Sequence, residues 1–211
     1  MNKQPIYYAM AAAAVTLVAC STAPVDPRPA YSNSDLREVD MVLKRDFHSR
    51  GIATMDRLNL DALQKACNQY KDNPPADLAK SLETEQMKTI SFPNGNLLGD
   101  WKKGEKIASR GKGMTWKDKP GAVNGGSCYN CHELSPDQPS YGTLGPSLRG
   151  FGKARGNGPE MQKYAYGKIY NSKAYSVCSQ MPRLGYSGTL TEAQIKDLVA
   201  YLLDPASPVN R

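Results

Sequence analysis

Cys128-Tyr129-Asn130-Cys131-His132 is the stretch from which the rest of this chain is read. Two thiols three positions apart reach the two vinyl groups of one porphyrin and form thioethers. The adjacent histidine then falls beneath the iron as an axial ligand. A zinc site would need a second Cys or His pair, and a thioredoxin-like redox pair would need a βαβ setting. The motif stands instead in Gly-rich sequence, with Gly125 and Gly126 just before it. It occurs once, so one covalently bound haem c per chain is expected, held by Cys128 and Cys131 with His132 on the iron.

Working outward, such an iron needs a sixth ligand, and Met181 is the candidate. It follows His132 by 49 residues, enough chain to round the haem edge and return on the far face. Pro182 follows it directly and breaks any helix. It also precedes the last helical stretch, where a distal loop belongs. Met87, Met114 and Met161 read as packing or loop residues. The second of only two histidines, His48, reads as a surface residue at a helix end.

Helical patterns frame the motif. Asp100 can cap a short helix over 101–108, packing through Trp101, Gly104, Ile107 and Ala108. Thr191 and Gln194 make a capping box for a final helix. Ile195, Leu198, Val199 and Leu202 recur there at helical spacing, and Asp204-Pro205 stops it. Upstream, Ser34 is expected to cap a helix from Asp35 with Leu36, Val39, Val42 and Leu43 on one side. Residues 61–70 and 76–87 form two more, separated by Pro74-Pro75. Phe92-Pro93-Asn94-Gly95-Asn96 is a turn-rich join. Tyr164, Tyr166, Tyr170 and Tyr175 suit either a core or a partner surface near Met181.

The N-terminus carries a processing signal. Lys3 precedes an apolar run over 6–19 that is too short to span a bilayer comfortably. Leu17-Val18-Ala19-Cys20 resembles a bacterial lipobox, in which the cysteine is acylated and becomes the mature N-terminus. An ordinary cleaved signal with an incidental cysteine is the alternative. Ser21 after the cysteine favours the outer membrane. The expected organisation is therefore a signal over 1–19, a flexible tether over 20–34, a helical extension over 35–95 and the haem domain over 96–211. The chain would sit on the periplasmic side of the envelope, on a lipid anchor.

Five cysteines are then apportioned: Cys20 to lipid, Cys128 and Cys131 to haem, with Cys67 and Cys178 left over. Where thiols oxidise, a Cys67–Cys178 disulfide is the economical account, and two free buried thiols the other. The net charge is +7, and the excess of Lys and Arg lies from Trp101 onward. That suits steering of an acidic protein partner. Aromatic residues and arginines are not interleaved as in a nucleic-acid groove, so no nucleic-acid partner is expected.

Gly142-Thr143-Leu144-Gly145-Pro146-Ser147-Leu148 resembles the proximal loop of class I cytochromes c. That likeness implies an all-α, class I cytochrome c-like domain with an N-terminal helical extension. It also implies that the Pro146 carbonyl accepts the hydrogen bond of the ligand histidine. A narrower resemblance follows. NGGSCYNCHE (124–133), YGTLGPSLRGFGKARG (141–156) and YGKIYNSKAYSVCSQMPRLGYSGTLTEAQIKDLVAYLLDPASPVN (166–210) are similar to the SoxX cytochromes of bacterial sulfur oxidation. So are GDWKKGEKIASRGKGMTW (99–116) and the Cys67 region, the latter as in longer SoxX forms. The lipobox departs from the soluble forms of that family.

This resemblance implies an electron-accepting subunit of a SoxXA complex, an L-cysteine S-thiosulfotransferase. Its partners would be a SoxA-like dihaem or monohaem cytochrome in a heterodimer, a SoxYZ-like carrier protein and a downstream small cytochrome. The sulfur chemistry would belong to SoxA, so no catalytic residue is expected here. The other readings are a self-standing, lipid-tethered electron carrier and a chiefly structural assembly module.

Overall fold

The computed structural model describes residues 31–211; the expectations for the signal, for Cys20 and for most of the tether lie outside them. Seven α-helices follow one another: α1 Asn33–Asp46, α2 Ala62–Gln69, α3 Ala76–Lys88, α4 Trp101–Ala108, α5 Phe151–Arg155, α6 Pro159–Tyr170 and α7 Glu192–Leu203. Single 3-10 turns punctuate them, one at Cys128–Asn130. Among the described residues no helix is long and apolar enough to cross a membrane.

The helix starts are set by local chemistry. Asp61 accepts from the Gln64 N–H while the Gln64 side chain accepts from the Asp61 N–H, a reciprocal box at the head of α2. Thr191 and Gln194 repeat it at the head of α7. Asp100 caps α4 through the Lys102 N–H at 2.9 Å. At α1 the expected cap is displaced: Ser32, not Ser34, accepts from Asp35 N–H, and the Asp35 carboxylate accepts from Ser32 N–H at 2.9 Å. Only a cap at position 32 puts an acidic side chain three residues on, where it can reciprocate. The apolar side of α1 buries nothing, and Val39, Met41 and Val42 are exposed.

The core forms where α4 crosses α7. Ile195, Leu198, Val199 and Leu203 are all but fully buried, each contributing on the order of 1.5–3 kcal/mol by burial. Gly104 sits at the crossing; a Cβ there would overlap the Asp197 carbonyl and lie 2.8 Å from Tyr201 Cβ. Asp197 also binds the start of α4, its carboxylate accepting from the Asp100 N–H at 2.8 Å. Helix α6, which sequence periodicity did not reveal, packs on α7 and buries Ala165, Tyr166, Gly167 and Ile169. Three of these are consecutive, so the helix shows no clean stripe.

The tail closes the far end of α7. Asn210, buried, donates to the Leu202 and Asp204 carbonyls at 3.0 and 2.9 Å and accepts from Lys153 N–H at 3.1 Å. It thereby satisfies carbonyls that a helix end leaves without partners and ties α5 to α7. Asn210→Ala should cost about 2 kcal/mol, since the buried groups it served stay desolvated. Denaturant unfolding of the holoprotein would show this as a lower midpoint at unchanged slope.

Candidate haem site

The segment before the motif is laid onto the end of α4. Gly126 N–H donates to Ile107 O at 2.8 Å and Ser127 N–H to Arg110 O at 3.0 Å. These are carbonyls of the last turn of α4 and the residues beyond it, so one contact set ends the helix and delivers the motif. A Cβ on Gly125 would overlap the Arg110 carbonyl, which explains the glycine there. Asn124 adds a second anchor: its amide donates to Thr189 O at 2.9 Å and its carbonyl accepts from Gln194 at 3.0 Å. The motif therefore hangs between the end of α4 and the start of α7.

Ser127 takes a left-handed conformation (φ 51°) and turns the chain into the 3-10 turn. Cys131 N–H and His132 N–H both donate to Cys128 O, at 3.1 and 3.0 Å. In a 3-10 turn residues three apart eclipse, so Cys128 and Cys131 share one side. Both are free thiols rather than a disulfide pair. Burial pushes the Cys128 thiol up to about 12, which keeps it protonated at neutral pH and unlike an activated nucleophile.

His132 is oriented from behind. Its Nδ1 lies 2.7 Å from Pro146 O. A carbonyl can only accept, so Nδ1 carries the proton and Nε2 keeps its lone pair for a metal. The loop that supplies Pro146 is held by Gly142 N–H to Tyr129 O at 2.9 Å, Gly145 N–H to Cys131 O at 2.8 Å and Leu148 N–H to Glu133 O at 2.8 Å. A Cβ on Gly145 would overlap the His132 ring, and one on Gly142 the Asn130 carbonyl. Glycine at both positions lets the loop lie flush against the motif.

Met181 is half-buried and, with Cys128, Tyr129, Ile107 and Leu148, borders the same apolar core. Its carbonyl accepts from the Ser172 hydroxyl, and its N–H donates to Ser179 Oγ at 3.2 Å. Cys67 and Cys178 are joined, with sulfurs 2.04 Å and Cα atoms 5.6 Å apart. The tyrosines divide: Tyr166 is core, 6.0 Å from the Tyr170 ring, whereas Tyr164 is 40% exposed and meets Tyr175 edge-on at 5.3 Å. His48 is exposed beyond the end of α1.

Two free thiols on one side of a turn, an imidazole with its outer nitrogen available and a thioether on the same core fit haem c. The hydrogen-bonded bracing by Asn124 and Gln194 escaped sequence reading. So did the contacts of Arg183, which donates to Asp61 at 2.6 Å and to Gln86 at 3.1 Å.

Residues 102–204 match the family described as cytochrome c. The chain carries a cytochrome c domain, an all-α electron-transfer fold whose haem c is attached covalently. It is 42% identical over 154 residues to an "uncharacterized lipoprotein" of Aquifex aeolicus (strain VF5), spanning 72% of this chain and 73% of that one, and belongs to one family with it. Among solved structures, that of SoxXA from P. pantotrophus is similar at 24% sequence identity, covering 55% of this chain and 86% of that chain, with a TM-score of 0.38.

Proposed function

We propose that this protein is the electron-accepting haem c subunit of a SoxXA-type complex, one haem per chain, anchored by lipid on Cys20 at the periplasmic side of the outer membrane. The observation that carries the reading is the stretch 166–210, whose Cys178-to-Arg183 run and Ser-Pro-Val-Asn tail are far narrower than a haem-attachment motif. The disposition of thiols supports it. Among the described residues, Cys128 and Cys131 are the free cysteines and Cys67 is bonded to Cys178. The free pair is the one this reading gives to haem, and the bonded pair is the one it joins. The lipoprotein name of the Aquifex relative supports the anchor.

In the partner reaction a carrier cysteine thiol and thiosulfate join through a new S–S bond, releasing one proton and two electrons. Haem c, held by Cys128, Cys131, His132 and Met181, supplies a site that takes up and gives back one electron at a time. The chain's own residues set the terms of that exchange. Pro146 fixes the His132 ring and raises the basicity of Nε2 through the Nδ1–H bond. Met181 offers a soft thioether, which favours the reduced ion and raises the potential. Half-buried Ile107, Leu148 and Tyr129 keep the surroundings apolar. The basic half of the chain steers an acidic partner toward the haem domain.

Co-purification with a SoxA-like cytochrome, followed by absorbance of this chain's haem, tests the proposal. Thiosulfate, the partner and a SoxYZ-like carrier together should reduce the haem, and omission of any one should prevent it. If the complete mixture leaves the haem oxidised and no partner co-purifies, a self-standing tethered carrier takes its place.

A further inference from the structure

The segment bearing Met181 is held from two sides: Ser172, Lys173 and Tyr170 bind it from within the cytochrome domain, and the N-terminal extension binds it from without. Val177 N–H donates to the Glu83 carboxylate on α3 at 2.8 Å. Cys178 is bonded to Cys67 on α2, across 111 residues of chain. Gln180 reaches Asp72, just past α2, at 3.3 Å. Arg183 Nη1 lies 2.6 Å from the Asp61 carboxylate at the head of α2 and 3.1 Å from Gln86 Oε1 on α3. The Arg183 side chain is only 11% exposed, while its partner Asp61 is 30% exposed, so the pair is partly screened from water. Gln86 Oε1 also accepts from the wholly buried Asn171 at 3.0 Å, next to Ser172, whose hydroxyl binds the Met181 carbonyl.

Anchors to α2 and α3 thus stand on both sides of Met181, two residues after it and three before it. A thioether is a soft and weak ligand for ferric iron. Its hold against competitors depends on how closely the chain confines it, which is an effective concentration set by the loop. We propose that Arg183 and the Cys67–Cys178 bond are positioning elements through which the N-terminal extension presses Met181 into its axial place. This rests on the reading of Met181 as the sixth ligand.

Imidazole titration of the ferric holoprotein, followed by loss of the thioether–iron absorption band, tests it. Arg183→Gln and the double variant Cys67→Ser/Cys178→Ser should each bind imidazole about tenfold more tightly than the parent, because a freed loop lowers the effective concentration of the tethered ligand. Haem content and far-ultraviolet circular dichroism should be unchanged. Arg183→Lys, which keeps a cation beside Asp61, should recover most of the parental affinity. Should the double variant fail to fold, Arg183→Gln decides alone. Parental imidazole affinity in Arg183→Gln, with Met181→Ala raising it, overturns the positioning role. A Met181→Ala protein that keeps the band and the parental affinity overturns the ligand reading beneath it.

Discussion

Met181→Ala is expected to abolish the thioether–iron band and lower the reduction potential while leaving the haem attached. In the proposed site attachment belongs to Cys128 and Cys131, on a turn whose backbone hydrogen bonds run to the end of α4, to Arg110 just past it and to the 142–148 loop, not to the Met181 segment. The two halves of the site are therefore separable by mutation. Losing the thioether removes the ligand that favours the reduced ion. The potential should fall by on the order of 0.1 V or more, a modest part of the roughly 0.8 V that axial ligation spans. Redox titration and denaturing gel staining for covalent haem would check both parts. An unchanged band would assign the sixth position to another residue.

Gly104→Val should strongly damage the fold, because it opens the helix crossing at the centre of the core. The two helices approach closely enough there that even a Cβ collides with the Asp197 carbonyl, and valine adds two methyl groups to that collision. Backbone is the obstacle, so no rotamer relieves it. Forcing the helices apart would also strain the Asp197–Asp100 bond at the head of α4. Overpacking of this kind costs about 3 kcal/mol. For a chain of this size the midpoint of thermal unfolding should drop by roughly 10 °C. Calorimetry on the holoprotein measures it directly, and a drop within a degree or two would mean the crossing can open without penalty.

Features set by neighbours in sequence were legible. The Thr191–Gln194 box, the Asp100 cap and the apolar spacing of α7 involve residues a few positions apart, and each was readable before the fold was known. The haem-attachment motif is local in the same sense. At α1 the local signal was ambiguous, since serines stand at both 32 and 34, and the reciprocating Asp35 decides for Ser32. Helix α6 was hidden because its buried residues run consecutively through Ala165, Tyr166 and Gly167 instead of recurring at helical intervals. Of the contacts that brace Met181, the Cys67–Cys178 bond was open to reading from the cysteine count, and the polar ones were not. Arg183 and Asp61 are 122 positions apart, and only packing of α2 and α3 brings them together. The sequence marks Arg183 merely as the residue after Met-Pro.

The crossing of α4 and α7 also governs when the protein can become itself. The haem-attachment turn lies in the long stretch between those two helices and is tied to Thr189 and Gln194 at the start of the second. Contacts so far apart in sequence form late. A chain emerging from its N-terminus has α4 and both haem cysteines in hand before α7 exists to close over them. Until the last twenty or so residues arrive, the half-buried Cys128 has no complete core to pack against. If both thiols take haem as proposed, attachment is expected before the final helix docks, because that docking completes the core against which Cys128 packs.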